Sequence, residues 1–422
     1  MGSNNNSNLL RKLGVLNQLI YNENKNTVIE AKIANLSELT KVLSVKEQAQ
    51  EQLLVVIQAL GIGKIVRNLK FEKVQGYALS SLFIALIIVR LWEKTIAGAT
   101  SNHFHGLCTV SKNTLYRALL NAHIDWRMLL TKITLRFHAI LQEHQVDTDE
   151  DNTCAILDDT TFQKSGIRIE GVSKVFDHVT HSFIYGMKCL TLALSDGKSC
   201  YPIDFSLHRE KGKKKDYGLT LKQRKEQFKE KRNAKNPDYA RKAECDDSKL
   251  EMAKRMLCHA VGHGINFKYV LADSWFTCES LIQAVRKLCD GAVHYIGLVK
   301  MNPKLRYQTS KSKRPQNIHE LIARYERTTS CYCRKYKCKY IQLHAKLGEQ
   351  PVRIFIIKYG RSTHWKVLLT TDISMNFVRA FELYERRWGI EVIFKECRGY
   401  LGLENVRAEA TTLRLQTQPC VS

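Results

Sequence analysis

The alternation of apolar and polar positions divides the chain into a helical first part and a mixed second part. Across residues 28–145, apolar positions recur at helical spacing, which predicts an all-helical domain. After an acidic joint at 146–153, the segments CAILDDTTF, SFIYGMKCLTLAL and KSCYPIDFSLH have strand patterns, and a Ser-Asp-Gly-Lys turn connects the last two. We therefore expect three consecutive antiparallel strands at the start of a second domain.

Strands and helices alternate further along the chain. The segment FKYVLADSWF predicts an apolar strand that ends at Asp273, and residues 301–370 are rich in strand patterns. A single long helix is predicted for residues 374–400. These elements predict an α/β fold in which helices flank a mixed sheet.

The charge balance indicates the kind of partner. The chain has 422 residues, and its 66 Lys and Arg exceed its 41 Asp and Glu to give a formal net charge of +25. Such a surplus favours a polyanionic partner, most simply nucleic acid. The basic block at 209–242 is either a solvated, partly helical excursion or an arm that follows phosphates, and both interpretations stay open.

No segment indicates export or insertion into a membrane. The start, MGSNNNSNLL, lacks an apolar region, and the run LSSLFIALIIV is shorter than the roughly 18–20 residues of a spanning helix. The 13 cysteines have no paired spacing, which is typical of free thiols in a reducing compartment. We therefore expect a cytoplasmic protein without a membrane partner.

One short helix has the composition of a DNA-contacting element. In TVSKNTLYRALL, Ser111 suits the N-cap, and the leucines that follow form one apolar face. Lys112, Asn113, Tyr116 and Arg117 are predicted to project away from that face. They could enter a major groove as part of a recognition helix. The alternative is an ordinary bundle helix with solvated charges.

Acidic residues stand at three positions that a fold could bring together. Asp158 and Asp159 close the first strand, Asp273 closes a later strand, and Glu391 lies in the last long helix. Clustered carboxylates repel one another unless a cation neutralises them. Carboxylate oxygens prefer hard ions such as Mg²⁺ or Mn²⁺, and a pair of these ions can act on a phosphodiester.

The order of these acids resembles that of the ribonuclease H-like DDE transposases. One bacterial insertion-sequence subgroup carries a Y-x2-R-x3-E-x6-K signature, which Tyr384, Arg387 and Glu391 match, while Arg398 stands in place of the lysine. The segments LDDTTF and LADSWF are similar to the two Asp motifs of that subgroup. The Asp-Thr pairing favours Asp159 over Asp158 as the first metal ligand.

The resemblance implies a bacterial DNA transposase with a ribonuclease H-like catalytic domain. Its implied catalytic and metal-binding residues are Asp159, Asp273 and Glu391, with two Mg²⁺ ions for which Mn²⁺ could substitute. The implied partners are the terminal inverted repeats of the element, target DNA and a second copy of the chain in a synaptic dimer, with no small-molecule substrate. The predicted divisions are a polar, disordered start at 1–27, a helical DNA-binding domain at 28–145, the first part of the catalytic domain at 151–300, a β-rich insertion at 301–370, the Glu-bearing helix at 371–410 and a truncated tail at 411–422.

Several alternatives remain open at this point. On a continuous helix, Arg387, Glu391, Lys395 and Arg398 would share one polar stripe with Tyr384, suited to hold DNA phosphates, but the same spacing also makes an ordinary ion-pair ladder. Trp365 and Trp388 could stack on an extruded base or simply pack in the core. A structure-selective nuclease on the same fold, or a DNA-binding relic without activity, would retain much of the same pattern.

Overall fold

The computed structural model describes most of the chain between residues 55 and 399. The described residues are 55–71, 76–91, 96, 110–143, 152–164, 166, 169–177, 181–210, 218–227, 231–301, 304–327, 329–360 and 362–399. The predicted disordered start and the predicted truncated tail lie outside them, and so do parts of the basic block.

Four helices of the first part share a core of their own. They are α1 (Ile62–Asn68), α2 (Leu79–Leu91), α3 (Lys112–Leu119) and α4 (Trp126–Glu143). Leu82, Leu115 and Leu129 are among the buried residues of this core. Helix α2 is apolar on every side, which is typical of a buried helix. Among the described residues, no helix is both long enough and apolar enough to cross a bilayer.

The second part is a mixed α/β structure built on one large sheet. Its strands are β1 (Cys154–Gln163), β2 (Ser173–Asp177), β3 (Ser182–Ser195), β4 (Cys200–His208), β5 (Tyr269–Ala272), β6 (His294–Leu298), β7 (Ser330–Cys333), β8 (Cys338–Leu347), β9 (Gln350–Tyr359) and β10 (Trp365–Thr370). Within the described residues, the strand order is β2-β3-β1-β5-β6-β10-β9-β8-β7. Strand β4 pairs with the second part of β3, on the edge whose first part pairs with β2.

The predicted antiparallel start of the second part is confirmed. Strand β3 pairs antiparallel with β1 and with β4. The β3–β4 turn is closed by Asp196, whose Oδ1 accepts the backbone N–H of Ser199 at 2.6 Å. Gly197 takes a positive φ of 92° there, a conformation that favours glycine. The short strand β2, which the sequence pattern did not predict, pairs with the first half of β3.

Parallel pairing joins the beginning of this sheet to its later strands. Strand β1 pairs parallel with β5, and β5 pairs parallel with β6. Strand β10 then pairs antiparallel with β6, and β9, β8 and β7 continue from it. The strand-rich residues 301–370 therefore extend the same sheet.

Helices cover the two faces of the sheet. The helices of the second part are α5 (Leu221–Glu226), α6 (Pro237–Glu244), α7 (Lys249–Gly262), α8 (Glu279–Arg286), α9 (Ile318–Tyr325), α10 (Phe377–Glu385) and α11 (Trp388–Gly399), and a 3₁₀ helix lies at Leu288–Gly291. We call the face that carries Leu157 and Ala272 the first face, and α7, α8 and α9 pack on it. The second face carries Ile156 and Leu271 and is covered by α10 and α11.

The prediction of one long helix at 374–400 is wrong, because two helices with a tight turn between them occupy that stretch. In the turn, the backbone N–H of Arg387 donates to the carbonyl of Tyr384 at 3.0 Å, and that of Ile390 donates to the carbonyl of Arg387 at 3.2 Å. These three-residue spacings are tighter than those of an α-helix. The turn also brings Gly389 against Cys200 on β4.

An ion-pair network anchors α4 to the sheet. Nε of Arg127 on α4 lies 2.6 Å from Oδ1 of Asp204 on β4, and its Nη1 lies 2.7 Å from Oε1 of Glu244 on α6. The Asp204 side chain is buried, and a buried charge that loses its partner is strongly destabilising. Helix α4 is therefore attached to the sheet as well as to the helices that precede it.

Candidate active site

Two acidic side chains lie next to each other, one in the middle of β1 and one directly after β5. The expectation that Asp158 and Asp159 close the first strand is wrong, because β1 continues to Gln163 in its pairing with β3. In the parallel β1–β5 pair, Leu157 is opposite Ala272, and Asp158 and Asp273 are the residues that follow them. Neighbouring strands lie about 4.8 Å apart, and side chains alternate between the faces. Since Leu157 and Ala272 belong to the first face, Asp158 and Asp273 belong to the second face, on which α10 and α11 pack.

Asp158 is held by hydrogen bonds from two residues, Asp159 and Arg387. Its Oδ1 accepts the backbone N–H of Asp159 at 2.8 Å, and its Oδ2 accepts Nη1 of Arg387 at 2.9 Å. Burial raises the pKa of Asp158 to about 7, Arg387 opposes that rise, and the negative charge of Asp273 adds to it. The site thus has a surplus of negative charge that a cation would relieve.

Asp273 begins the turn that leads from β5 into α8. Its Oδ1 accepts the backbone N–H of Trp275 at 2.9 Å and that of Phe276 at 3.4 Å. The hydroxyl of Thr277 donates to the backbone carbonyl of Asp273 at 3.2 Å. The carboxylate is therefore oriented by its own turn, as expected for an Asp that starts an Asx turn.

Glu391 reaches the site through Arg387. The Arg387 guanidinium donates to Asp158 through one nitrogen and to Oε1 of Glu391 through the other. The side chains of Arg387 and Asp158 are each 16% exposed, whereas that of Glu391 is 35% exposed. Arg387 therefore stands between the acid on β1 and the acid on α11.

Asp159, the residue that the sequence motif favoured, lies on the other side of the sheet. Its Oδ1 lies 3.1 Å from Nζ of Lys249 at the start of α7, a first-face helix. The structure therefore brings Asp158, Asp273 and Glu391 to one face and directs Asp159 away from them. The reason is the two-residue alternation of a strand, which sends neighbouring side chains to opposite faces.

The residues of the predicted polar stripe have separate surroundings. Tyr384 is mostly buried beside Arg387; burial raises its pKa to about 12, and the charges of Asp273 and Asp158 add to that rise. Arg398 donates to the hydroxyl of Thr160 on β1, while Lys395 is exposed. Only part of the stripe is thus free to meet DNA phosphates.

The two tryptophans proposed as base-stacking residues are not brought together. Trp388 is 63% exposed on the second face, at the start of α11. Trp365 packs against the first-face core, and Nζ of Lys358 lies 4.8 Å from its ring centroid. Trp365 therefore lies across the sheet from Glu391, and its partly buried position is that of a packing residue.

A cavity of about 460 Å³ adjoins Arg387 on the second face. It is lined by apolar side chains of the sheet together with Tyr384, Trp388, Tyr359 and Lys366. Tyr359 and Lys366 had not been singled out from the sequence. The signal that could have found Lys366 is its position two residues before Leu368, which places both on one face of β10.

The proposed recognition helix is only partly exposed. Ser111 caps α3 as predicted, with its hydroxyl accepting the backbone N–H of Thr114 at 3.3 Å. Lys112, Asn113 and Arg117 are exposed, but Tyr116 is only 9% exposed and does not project with them. Tyr116 directly follows the core residue Leu115 and lies on the buried side of the helix.

The donor chemistry of the site fits a hard divalent cation. Carboxylate oxygens are ligands that Mg²⁺ and Mn²⁺ prefer, and the burial of Asp158 beside Asp273 calls for positive charge. Among the described residues, no three His, Cys, Asp or Glu side chains are arranged to hold a metal ion. Arg387 occupies the space where Asp158 and Glu391 face each other.

Comparisons with known proteins complete the description of the site. A profile described as DDE superfamily endonuclease matches residues 91–323, and a profile described as transposase DDE domain matches residues 244–413. The crystal structure of the NurA nuclease from Sulfolobus solfataricus is similar with 9% identity over 61% of this chain and 84% of that chain, at a TM-score of 0.24. No curated protein sequence matches this chain. The first profile includes Asp158 and Asp273, and the second includes Glu391.

Proposed function

This chain belongs to the DDE superfamily endonuclease family, and from that premise we propose that it is a transposase that cuts DNA at the ends of its own element and joins them to target DNA. DNA is the substrate that a transposase domain implies, and the net charge of +25 suits such a partner. We propose the terminal inverted repeats as the DNA that is recognised and a dimer as the synaptic assembly.

We further propose that the sheet is that of a ribonuclease H-like catalytic domain. The supporting feature is the arrangement β4-β3-β1-β5-β6, in which three antiparallel strands precede two parallel ones. The remaining strands, β10 to β7, would be an insertion that widens this sheet. Because it precedes α11, such an insertion lies between the second acid and the third.

The observation that carries the proposal is the position of Asp158 and Asp273 on the face that also carries Glu391. Asp158, Asp273 and Glu391 would hold the two divalent ions, Mg²⁺ or Mn²⁺. When bound, such ions activate a water or a 3′-hydroxyl and stabilise the leaving oxygen of a phosphodiester. The alternation of β1 favours Asp158 over Asp159 for this role.

Residues around the acids would hold the DNA strand. Arg387 would pair with a phosphate in a bidentate way through the two nitrogens that now donate separately to Asp158 and Glu391. Lys395 is exposed on α11 and would contact the phosphate backbone of the DNA. Arg398 would act mainly by fixing α11 to β1. Trp388 and the adjoining cavity could accept a base drawn out of the duplex. Lys112, Asn113 and Arg117 would contact DNA through α3.

The test is cleavage of DNA that carries the flanking inverted repeats, measured with and without Mg²⁺. We expect cleavage to be abolished by Asp158→Asn, Asp273→Asn and Glu391→Gln. We expect Asp159→Asn to retain cleavage when the Mg²⁺ concentration is raised. Cleavage by Asp158→Asn but not by Asp159→Asn would overturn the assignment of Asp158.

Two further outcomes bear on the proposed function as a whole. Cleavage that ignores the repeats would indicate a structure-selective nuclease on the same fold. No cleavage by the parent protein, with DNA binding retained, would indicate a relic that only binds element ends.

A further inference from the structure

One cation, Lys249, contacts the residue after Asp158 in β1 and a residue of the turn after Asp273, and it does so from the opposite face of the sheet. Nζ of Lys249 lies 3.1 Å from Oδ1 of Asp159 and 4.0 Å from the ring centroid of Trp275. The first is an ion pair, and the second is a cation–π contact. Lys249 therefore links the middle of β1 to the turn that follows β5.

The backbones of these two contacted residues hold the two acids. The N–H of Asp159 donates to Oδ1 of Asp158 at 2.8 Å, and the N–H of Trp275 donates to Oδ1 of Asp273 at 2.9 Å. A displacement of either side chain by loss of Lys249 would thus be passed to a carboxylate through one backbone hydrogen bond. The donor follows Asp158 by one residue and Asp273 by two, so each acid is held by a residue close to it in sequence that Lys249 contacts.

Lys249 occupies a position in α7 where a positive charge is unfavourable without a neighbouring anion. Lys249 is the first residue of α7, directly after the N-cap Ser248. The N-terminus of a helix carries positive partial charge, so a cation there is unfavourable unless a neighbouring anion offsets it. Asp159 supplies that anion. The other nearby lysine, Lys188, donates instead to the hydroxyl of Thr161 at 2.7 Å.

We propose that Lys249 is a positioning residue that holds Asp158 and Asp273 in place for divalent-ion binding from the opposite face of the sheet. The proposal rests on the proposed function, since it presumes that these two acids bind the ions. Groups that orient metal ligands typically change metal affinity by 10- to 100-fold when they are removed.

The experiment measures Mn²⁺ binding to the full chain by electron paramagnetic resonance, without DNA, and the Mg²⁺ concentration that gives half-maximal cleavage. Lys249→Met should weaken Mn²⁺ binding and raise the Mg²⁺ requirement by on the order of 10-fold or more. DNA affinity in EDTA should stay unchanged. Lys249→Arg should recover most of the metal affinity, because a guanidinium can also pair with a carboxylate and stack on an aromatic ring.

A matched control lies on the same helix. Lys254 also makes an ion pair, with Nζ 2.7 Å from Oε1 of Glu251, but it is remote from the acids in this network. Lys254→Met should leave Mn²⁺ binding unchanged. Trp275→Leu removes the cation–π contact of Lys249 without changing any charge. The variant should still fold, because the Trp275 side chain is 40% exposed. It should weaken Mn²⁺ binding in the same direction as Lys249→Met.

The outcomes separate this inference from the proposed function. Unchanged Mn²⁺ binding in folded Lys249→Met and in Trp275→Leu, with binding lost in Asp158→Asn, would overturn the role of Lys249 alone. Tighter binding in Lys249→Met would also overturn it, because Asp159 would then act as a ligand that Lys249 competes for. Absence of Mn²⁺ binding and of cleavage in the parent protein would instead count against the proposed function.

Discussion

Nη1 of Arg387 lies 2.9 Å from Oδ2 of Asp158, although the two residues are 229 positions apart in the sequence. The contact joins the turn before α11 to the middle of β1, and the same guanidinium also donates to Glu391. Arg387 is thus the cation that balances the acids of the second face in the described structure. Replacing Arg387 should therefore change both the free energy of unfolding and the binding of divalent ions.

Replacing Arg387 with Gln is expected to lower the free energy of unfolding by about 2 kcal/mol, since hydrogen bonds to charged groups contribute roughly that much. Urea denaturation in EDTA would measure the change. Adding Mg²⁺ should stabilise the variant more than the parent, because the ion then supplies the missing positive charge. Arg334→Gln, in the exposed β7–β8 hairpin, is the control and should change little. An equal loss in both variants would contradict the role of Arg387.

The two tryptophans should respond differently to replacement by alanine. Trp388→Ala is expected to change stability by less than about 0.5 kcal/mol, as surface substitutions usually do. It should slow cleavage, because base–aromatic stacking contributes about 1–3 kcal/mol per base. Trp365→Ala should chiefly lower stability, because Trp365 packs against the first-face core. Urea unfolding and single-turnover cleavage together distinguish these effects, and the reverse pattern would exchange the two roles.

Gly389 should not tolerate even alanine. A Cβ built there would lie 2.9 Å from both Cβ and Sγ of Cys200, so α11 would have to move away from β4. Overpacking of this kind costs about 1–3 kcal/mol, and the shift would also displace Glu391. For Gly399, in the same helix, the part of the chain that the structure describes places no tertiary neighbour within 4 Å of the corresponding position, and Gly399→Ala should leave both properties intact. Thermal unfolding and cleavage assays of both variants give the comparison.

The histidines with lowered pKa should destabilise the protein as the pH falls. Burial lowers the pKa of His208, His259 and His294 below the usual 6.5. At these groups the unfolded chain binds protons more readily than the folded chain, so their contribution to stability is complete above pH 6.5 and falls as the pH drops below it. Asp158 and Asp204 act in the opposite direction, because burial raises their pKa values to about 7 and about 6 and the folded chain then binds protons more readily there. Each such group can contribute a slope of at most about 1.4 kcal/mol per pH unit.

The variant that checks this prediction is His208→Gln. It should reduce the dependence of the unfolding free energy on pH between 7 and 5, whatever its effect on stability at pH 7. His319→Gln, at an exposed site on α9, serves as the control. An unaltered slope in His208→Gln would show that another group carries the acid sensitivity.

Local features of this fold could be predicted from sequence, and non-local ones could not. Strands β1, β3 and β4 were predicted because their apolar patterns and the Asp196–Gly197 turn lie within short stretches. The choice between Asp158 and Asp159 depends on which face α11 covers, and that is a property of packing between distant segments. The face of the sheet on which Trp365 lies could not be predicted for the same reason. Helical periodicity also did not reveal the break between α10 and α11, next to which Gly389 lies close to Cys200 of the distant strand β4.

The Arg127 network has a consequence for the design of chimeras in which the N-terminal helices of this chain are exchanged. Helix α4 is continuous with the helical core through Leu129, yet Arg127 ties it to Asp204 and Glu244 of the second part. A chimera joined at the acidic linker that follows α4 would leave Asp204 buried without its cation. A junction placed before Trp126 keeps α4 together with the sheet, so that the transplanted module needs to match its apolar surface and to supply an acceptor in place of the Ala59 carbonyl, to which Arg136 of α4 donates at 3.3 Å.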